Sequence, residues 1–266
     1  MHLNKIIHHE FIQYENDIDA IVENFNSQGE VFINQDRNLL KLFNLKGKTV
    51  NVKSFKVPNS INQLVYKFIR KSKAQRSFDY ANILLKKGIG TPQPIAFYEY
   101  KTLLLFKKSY YVSEQQDCEI TYRELTTNLD YPDHENILRA FTRFTFKLHE
   151  NNVHFLDHSP GNTLIKKENN SYSFYLVDLN RIKFGDLDFE TRVKNFSKLT
   201  IHKSMVEIMS NEYAKCLNKG EAEVFNLMWK YTKAFQEKYY RKIRMKRRVF
   251  FWKKKYKNLI SESPIK

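Results

Sequence analysis

Along residues 17–25, Ile18, Ile21, Val22 and Phe25 recur at i, i+3, i+4 and i+7, the spacing that gathers apolar side chains on one face of a helix. Asp17 stands at the cap position of that helix, and Gly29 follows it. The period then changes. Residues 30–33, 39–43 and 49–55 are short β-type runs, broken by the turn-rich NQDRN (34–38) and NLKGK (44–48), which predicts an antiparallel meander. Helical spacing returns beyond Pro58 at 60–71, through Ile61, Leu64, Val65 and Phe68. It returns again at 73–87, through Phe78, Ala81, Leu84 and Leu85, with Gly88 as the stop. Extended segments are expected at 95–100, 103–106 and 110–113.

After residue 113 the pattern becomes helical. Ile137, Phe141, Phe144 and Leu148 define an amphipathic helix over 135–151. The loop FLDHSPGN leads into two extended runs, 163–165 and 173–177, and from about Ser204 onward the chain reads as helix. Strands first and helices later predict an α+β fold in which a β-rich small lobe (1–113) precedes a helical large lobe (114–266).

Composition sharpens this in two respects. Hydrophobic residues are 42% and aromatics 15%, enough for a sizeable core, which excludes a disordered chain. The charge is uneven: of 45 basic and 29 acidic residues, 11 Lys/Arg and no acid fall in 238–257, leaving a net of +5 elsewhere. Basicity is therefore one C-terminal feature, and it implies an anionic partner. Ile243, Val249, Phe250, Phe251 and Trp252 interleave with those cations, the composition of a helix lying on an anionic membrane. A nucleic-acid surface or a solvated helix has the same composition, nucleic acid being the least favoured of the three. No leader-like segment and no apolar run long enough to cross a bilayer is visible, and Cys118 and Cys216 read as ordinary reduced thiols.

The candidate chemistry lies in Asp157-His-Ser-Pro-Gly-Asn162 and in the strand SFYLV that ends at Asp178. Phosphoryl transfer needs a carboxylate to orient the acceptor hydroxyl and oxygen ligands to hold Mg²⁺ between phosphates. An Asp and an Asn five apart on a tight loop, followed by an Asp at a strand end, have that order. Upstream, VNVKSFK places Lys53 on a strand, where a lysine reaches the α- and β-phosphates. Asp79 is the one acid in the helix at 73–87 and so the candidate partner of Lys53. His154 and His158 flank Asp157, but Pro160 and Gly161 make the segment a loop, which argues for structural histidines rather than a zinc pair. Arg123 and Arg181 are candidates either to hold a sugar carboxylate or to make surface ion pairs.

The series VNVKSFK, SKAQRSFDYANILLKKGIGTPQPIA, SYYVS, LDHSPGNTLI and LVDLNRIKF resembles the bacterial lipopolysaccharide core kinases, the Kdo kinase and heptose kinase relatives of the protein-kinase fold. The resemblance runs from about residue 30 to 200. It implies ATP- and Mg²⁺-dependent phosphorylation of a sugar hydroxyl on the lipid A–Kdo inner core, at the cytoplasmic face of the inner membrane. By matching position it implies that Asp157 is the catalytic base, Lys53 the phosphate-binding lysine with Asp79 beside it, and Asn162 and Asp178 the metal ligands. The turn NQDRN has no glycine whose backbone N–H could approach a phosphate, so Arg37 is the candidate for direct phosphate contact. The segment SEQQD (113–117), with Glu114, is the candidate hinge against which the adenine would bind. Two other readings remain open: a phosphotransferase of the same fold acting on a small molecule or on protein Ser/Thr, and a non-catalytic scaffold binding membrane or RNA.

Overall fold

The alternating segments of the first half build one six-stranded sheet. The computed structural model describes residues 2–35, 38–57, 71–102, 105–169 and 171–249. The helix expected at 60–71, Arg37, and the basic run beyond residue 249 therefore lie outside the described residues, nearly all of the first and all of the others.

The chain divides into two units, one comprising Met1–Asp117 and Tyr175–Arg181, the other Cys118–Phe174 and Ile182–Lys266. In the first, β1 (His2–Ile7), β2 (Glu30–Gln35), β3 (Asn38–Leu45), β4 (Lys48–Phe55), β5 (Pro94–Lys101) and β6 (Phe106–Glu114) assemble in the order β1-β5-β6-β4-β3-β2. Every pairing is antiparallel. Side chains alternate across a strand, so Val50 and Val52 of β4 turn to one face while Asn51, Lys53 and Phe55 turn to the other. The valine face packs with Ile18, Val22 and Phe25, which belong to α1 (Glu15–Glu23) and the turn after it. The opposite face carries α2 (Lys73–Lys86), whose Ala74 and Phe78 cluster with Phe55 and Phe97. Removing each such side chain from water stabilises the fold by about 2 kcal/mol.

Both ends of α2 follow from its sequence. The Ser72 hydroxyl accepts a hydrogen bond from the Gln75 N–H at 3.0 Å, capping the start. At the finish Gly88 adopts φ 65°, and the N–H groups of Gly88 and Ile89 return to the carbonyls of Leu85 and Leu84.

The second unit holds β7 (Ile120–Thr121), α3 (Tyr122–Thr127), α4 (His134–Glu150), β8 (Val153–Phe155), β9 (Thr163–Glu168) and the start of β10 (Ser171–Leu176). It continues with β11 (Ile182–Phe184), α5 (Phe189–Lys194), a 3₁₀ turn at Asn195–Lys198, α6 (Lys203–Leu217) and α7 (Glu221–Val249). Its two small sheets run β10-β9-β7 and β11-β8. Around them Phe141 of α4, Phe196, and Met209 and Tyr213 of α6 form a core less than 2% exposed, joined by Val224 and Met228 of α7.

Several sequence expectations need correcting. Asp17 does not cap α1: a 3₁₀ helix (His9–Tyr14) runs straight into it, leaving no extended residue before the first turn, and Asp17 Oδ1 instead pairs with Lys46 Nζ at 3.0 Å. Strand β1 has no expectation behind it, because HLNKII does not alternate. It is an edge strand defined by its register with β5, and Leu3 and Ile6 stay exposed. Within the described residues of 103–113, β6 is one continuous strand from Phe106, and Lys107 and Lys108 are accommodated where its register against β5 shifts between Glu99 and Lys101.

Candidate functional site

Within the first unit, Lys53 lies in register with Leu40 on one side and Tyr111 on the other, so the sheet determines where its side chain emerges. Its side chain is 13% exposed, and Nζ donates to Asp178 Oδ1 at 2.6 Å. Asp178 follows the end of β10 with φ 58°, a left-handed backbone that costs a non-glycine residue on the order of 1 kcal/mol.

The surroundings hold that conformation in place. Asn180 Nδ2 donates to the same Asp178 oxygen at 2.7 Å, and buried Arg76 of α2 donates to the Asn180 carbonyl at 2.7 Å. Ahead of Asp178, the Leu176 N–H binds the Gly90 carbonyl at 2.9 Å and the Leu176 carbonyl accepts from Thr91 Oγ1 at 2.8 Å. Leu176 and Leu179 are buried on either side. LVDLN is therefore anchored at both ends, with its carboxylate presented beside an ammonium.

The pairing expected for Asp79 is not the one found. Asp79 Oδ2 accepts from Lys71 Nζ at 2.7 Å, whereas Lys53 is held by Asp178. The physical reason is reach: the short aspartate side chain meets the lysine just before its own helix, while Arg76, one turn earlier, occupies the inner face of α2. Glu114, in the segment expected to meet the adenine, ends β6. Its carboxylate pairs with Lys48 Nζ at 2.6 Å and its N–H binds the Gln93 carbonyl, while the Gln115 N–H binds the Thr49 carbonyl. These groups of the 113–117 segment are already committed within the unit.

In the second unit the catalytic-loop candidate is pinned at three consecutive carbonyls. Phe155 O accepts from Asn195 Nδ2 at 2.9 Å, Leu156 O from Lys198 Nζ at 2.5 Å, and Asp157 O from Asn162 Nδ2 at 2.8 Å. The last bond engages the amide nitrogen of Asn162, which leaves the amide oxygen as the acceptor of that side chain. Lys198 Nζ also lies 3.9 Å from Asp157 Oδ1, so a lysine about forty residues downstream faces the candidate base. No motif marks Lys198: it sits in NFSKLT, and the 3₁₀ turn at Asn195–Lys198 is what delivers it. Sequence reasoning therefore missed it.

Asn195 is itself positioned from behind. Its Oδ1 lies 3.1 Å from His149 Nε2, and His149 Nδ1 lies 2.6 Å from the Tyr213 hydroxyl. A neutral imidazole, donating from Nε2 and accepting at Nδ1, satisfies both partners. Burial lowers the His149 pKa to about 4, and that of fully buried His158 to about 3. His158 packs among the rings of Phe141, Phe155 and Phe196, and His154 lies on β8 opposite Lys183, so the two flanking histidines have separate structural surroundings.

Arg123 reaches this loop at Gly161. A Cβ there would come within 2.8 Å of Arg123 Nη2, so the guanidinium lies against the loop at that point. Arg123 is placed by α3, whose first turn is closed by a capping box between Thr121 and Glu124.

The sequence pattern of the lipopolysaccharide kinase (Kdo/WaaP) family matches residues 19–231. No curated protein matches the chain in sequence. Among solved structures, the chain is similar to WaaP in complex with acyl carrier protein: TM-score 0.61, 14% identity, covering 90% of this chain and 98% of that one. At that identity the likeness is one of fold, and it is the fold of a protein-kinase-like enzyme, with an antiparallel sheet and a helical part. The family pattern extends from within α1 into α7, far beyond any single motif, and the chain belongs to the lipopolysaccharide kinase (Kdo/WaaP) family of phosphotransferases.

Proposed function

We propose that the protein transfers the γ-phosphoryl group of ATP to a sugar hydroxyl, on Kdo or heptose, of the lipopolysaccharide inner core. The observation that carries this reading is the Lys53–Asp178 pair at 2.6 Å, with Asp178 clamped in a left-handed conformation. A phosphotransferase needs an ammonium for the phosphates near a carboxylate for the metal, and in the ligand-free state the two neutralise each other. Asp157 would align the acceptor hydroxyl and take its proton, and Asn162 and Asp178 would hold Mg²⁺.

The donor set suits that ion. The Asn162 amide oxygen and the Asp178 carboxylate are hard oxygen ligands, and Mg²⁺ is commonly bound by one or two such groups together with phosphates and water. Among the described residues no cluster of three His, Cys, Asp or Glu offers a denser cage. Held by Asn162 and Asp178, the ion would supply positive charge to offset what develops on the phosphate oxygens. The direct test is transfer of labelled γ-phosphate from Mg·ATP to Kdo–lipid A. Label appearing in the lipid supports the reading. ATP turnover with soluble acceptors alone would move it to a small-molecule kinase.

The proposal includes a place of work, the anionic cytoplasmic face of the inner membrane. No described helix is long and apolar enough to cross a membrane. On α7, however, Lys238, Arg241, Lys242, Arg244, Lys246 and Arg247 are all exposed, with no acid among residues 238–247. Each cation near an anionic surface is worth about 1 kcal/mol. Deleting residues 241–266 is expected to lower affinity for phosphatidylglycerol vesicles at least tenfold in a sedimentation assay. Unchanged affinity would show that the basic segment does not hold the protein at a membrane.

A further inference from the structure

The second unit has a cleft of about 180 Å³ that the phosphoryl-transfer residues do not explain. Pro160 of the Asp157 loop lies in its wall, and α3, the stretch from Lys198 to Ile201, and α7 complete it. Two cations border it, Arg123 and Lys198. Among the described residues Arg123 makes no ion pair, although its guanidinium rests against Gly161. Across the cleft, α7 contributes Phe235, Gln236, Tyr239 and Tyr240, which share one helical face by their spacing. Tyr239 and Tyr240 are 40% and 36% exposed, their rings 5.6 Å apart.

Two neighbouring, half-exposed tyrosines on a helix offer apolar ring faces with polar hydroxyls at their edge, a platform that suits a flat amphipathic ligand. A sugar ring has apolar C–H faces to lie on the aromatics and hydroxyls to meet polar groups such as Gln236. Arg123 at the other wall, with no ion pair among the described residues, suits a negative charge on that same ring, since a guanidinium matches a carboxylate bidentately. Lys198 ties the location to the chemistry, since its Nζ is 3.9 Å from the Asp157 carboxylate and 2.5 Å from the Leu156 carbonyl. The run of exposed cations from Lys238 to Arg247 continues along α7 from the tyrosines, where the phosphates of a lipid-borne sugar would be met.

We infer that this cleft is the acceptor site, and that it binds a carboxylate-bearing sugar carried on a glycolipid, with Arg123 reading the carboxylate and Tyr239 and Tyr240 supporting the ring. The inference rests on the kinase reading for what happens to the sugar, but binding is measured without ATP and so can fail or succeed independently. The experiment compares the full-length protein with Arg123→Met and Tyr239→Ala. Binding is measured to nonionic detergent micelles doped with Kdo–lipid A, and to micelles doped with an equal charge of phosphatidylglycerol.

The expected result is a loss of at least tenfold in affinity for the Kdo-bearing micelles in both variants, with phosphatidylglycerol binding and melting temperature unchanged. Unchanged affinity for Kdo-bearing micelles would overturn the assignment. An equal loss toward both micelles would overturn it too, because the residues would then be only part of a basic surface. Selective loss of binding in the variants, coupled with no phosphoryl transfer by the parent protein, would keep the cleft and sink the kinase reading.

Discussion

Asp157→Ala is expected to lower kcat for phosphoryl transfer by about 10²–10⁴, with nucleotide affinity nearly unchanged. A positioned general base contributes about that factor, and this carboxylate is the one held by the loop whose carbonyls Asn195, Lys198 and Asn162 secure. Asp178→Ala is expected to abolish turnover as well, but by a different route. It removes the proposed metal ligand and leaves the Lys53 ammonium, only 13% exposed, without its partner at 2.6 Å. The magnesium-dependent part of nucleotide binding should therefore fall with it. Steady-state kinetics beside a fluorescent-nucleotide titration separate the two effects. If either alanine variant keeps turnover within tenfold of the parent, the site assignment is wrong.

Acid should weaken the second unit well before it affects carboxylates. His149 and His158 ordinarily titrate near 6.5, and burial lowers them to about 4 and about 3 in the folded chain. The unfolded chain therefore binds two protons that the folded chain refuses, and stability is complete above pH 6.5 and lost as pH falls toward those lower values. At pH 5 each imidazole costs about 2 kcal/mol, at 1.36 kcal/mol for every unit of separation. Together these amount to about 4 kcal/mol, a large fraction of the stability of an ordinary domain.

Urea unfolding at pH 7.5 and pH 5.0, followed through Trp229, which packs against the second-unit core, measures this loss. His158→Phe, placing an apolar ring among Phe141, Phe155 and Phe196, should remove about half of the pH dependence. Equal stability of the parent protein at both pH values would contradict the buried-neutral assignment. Because His149 orients Asn195, and Asn195 holds the Phe155 carbonyl, the same protonation should also loosen the Asp157 loop.

Individual positions show how far the chain can be read on its own. The β2–β3–β4 meander is legible because Val50 and Val52 alternate with Asn51 and Lys53 between turn-rich breaks, and a half-buried strand is what produces a period of two. Helix α2 is legible from its apolar face and from Gly88 at its end, whereas its Ser72 cap emerges only in the structure. Strand β1 is not, because an edge strand exposed on one side needs no alternation and exists only through its pairing with β5. The partner of Lys53 escapes the sequence for a related reason. Asp79 is the only acid in α2, but the direction of a short carboxylate depends on which cation the fold leaves within its reach, and that cation is Lys71.

The sequence by itself determined which residue types could do the chemistry and in what order: a lysine on a strand, an Asp and an Asn on a Pro-Gly loop, and an Asp ending a strand. Those are local facts, since turn residues and strand periodicity act over a few positions. Tertiary structure alone decided the rest. It pairs Lys53 with Asp178 across 125 residues, brings Lys198 to the Asp157 loop, and sets Tyr213, His149 and Asn195 in a line behind it. It also lays Tyr239 and Tyr240 along a cleft bordered by Arg123. Hydrogen bonds and ion pairs of this kind form between groups that packing brings within about 3 Å, and no spacing along the chain encodes that approach.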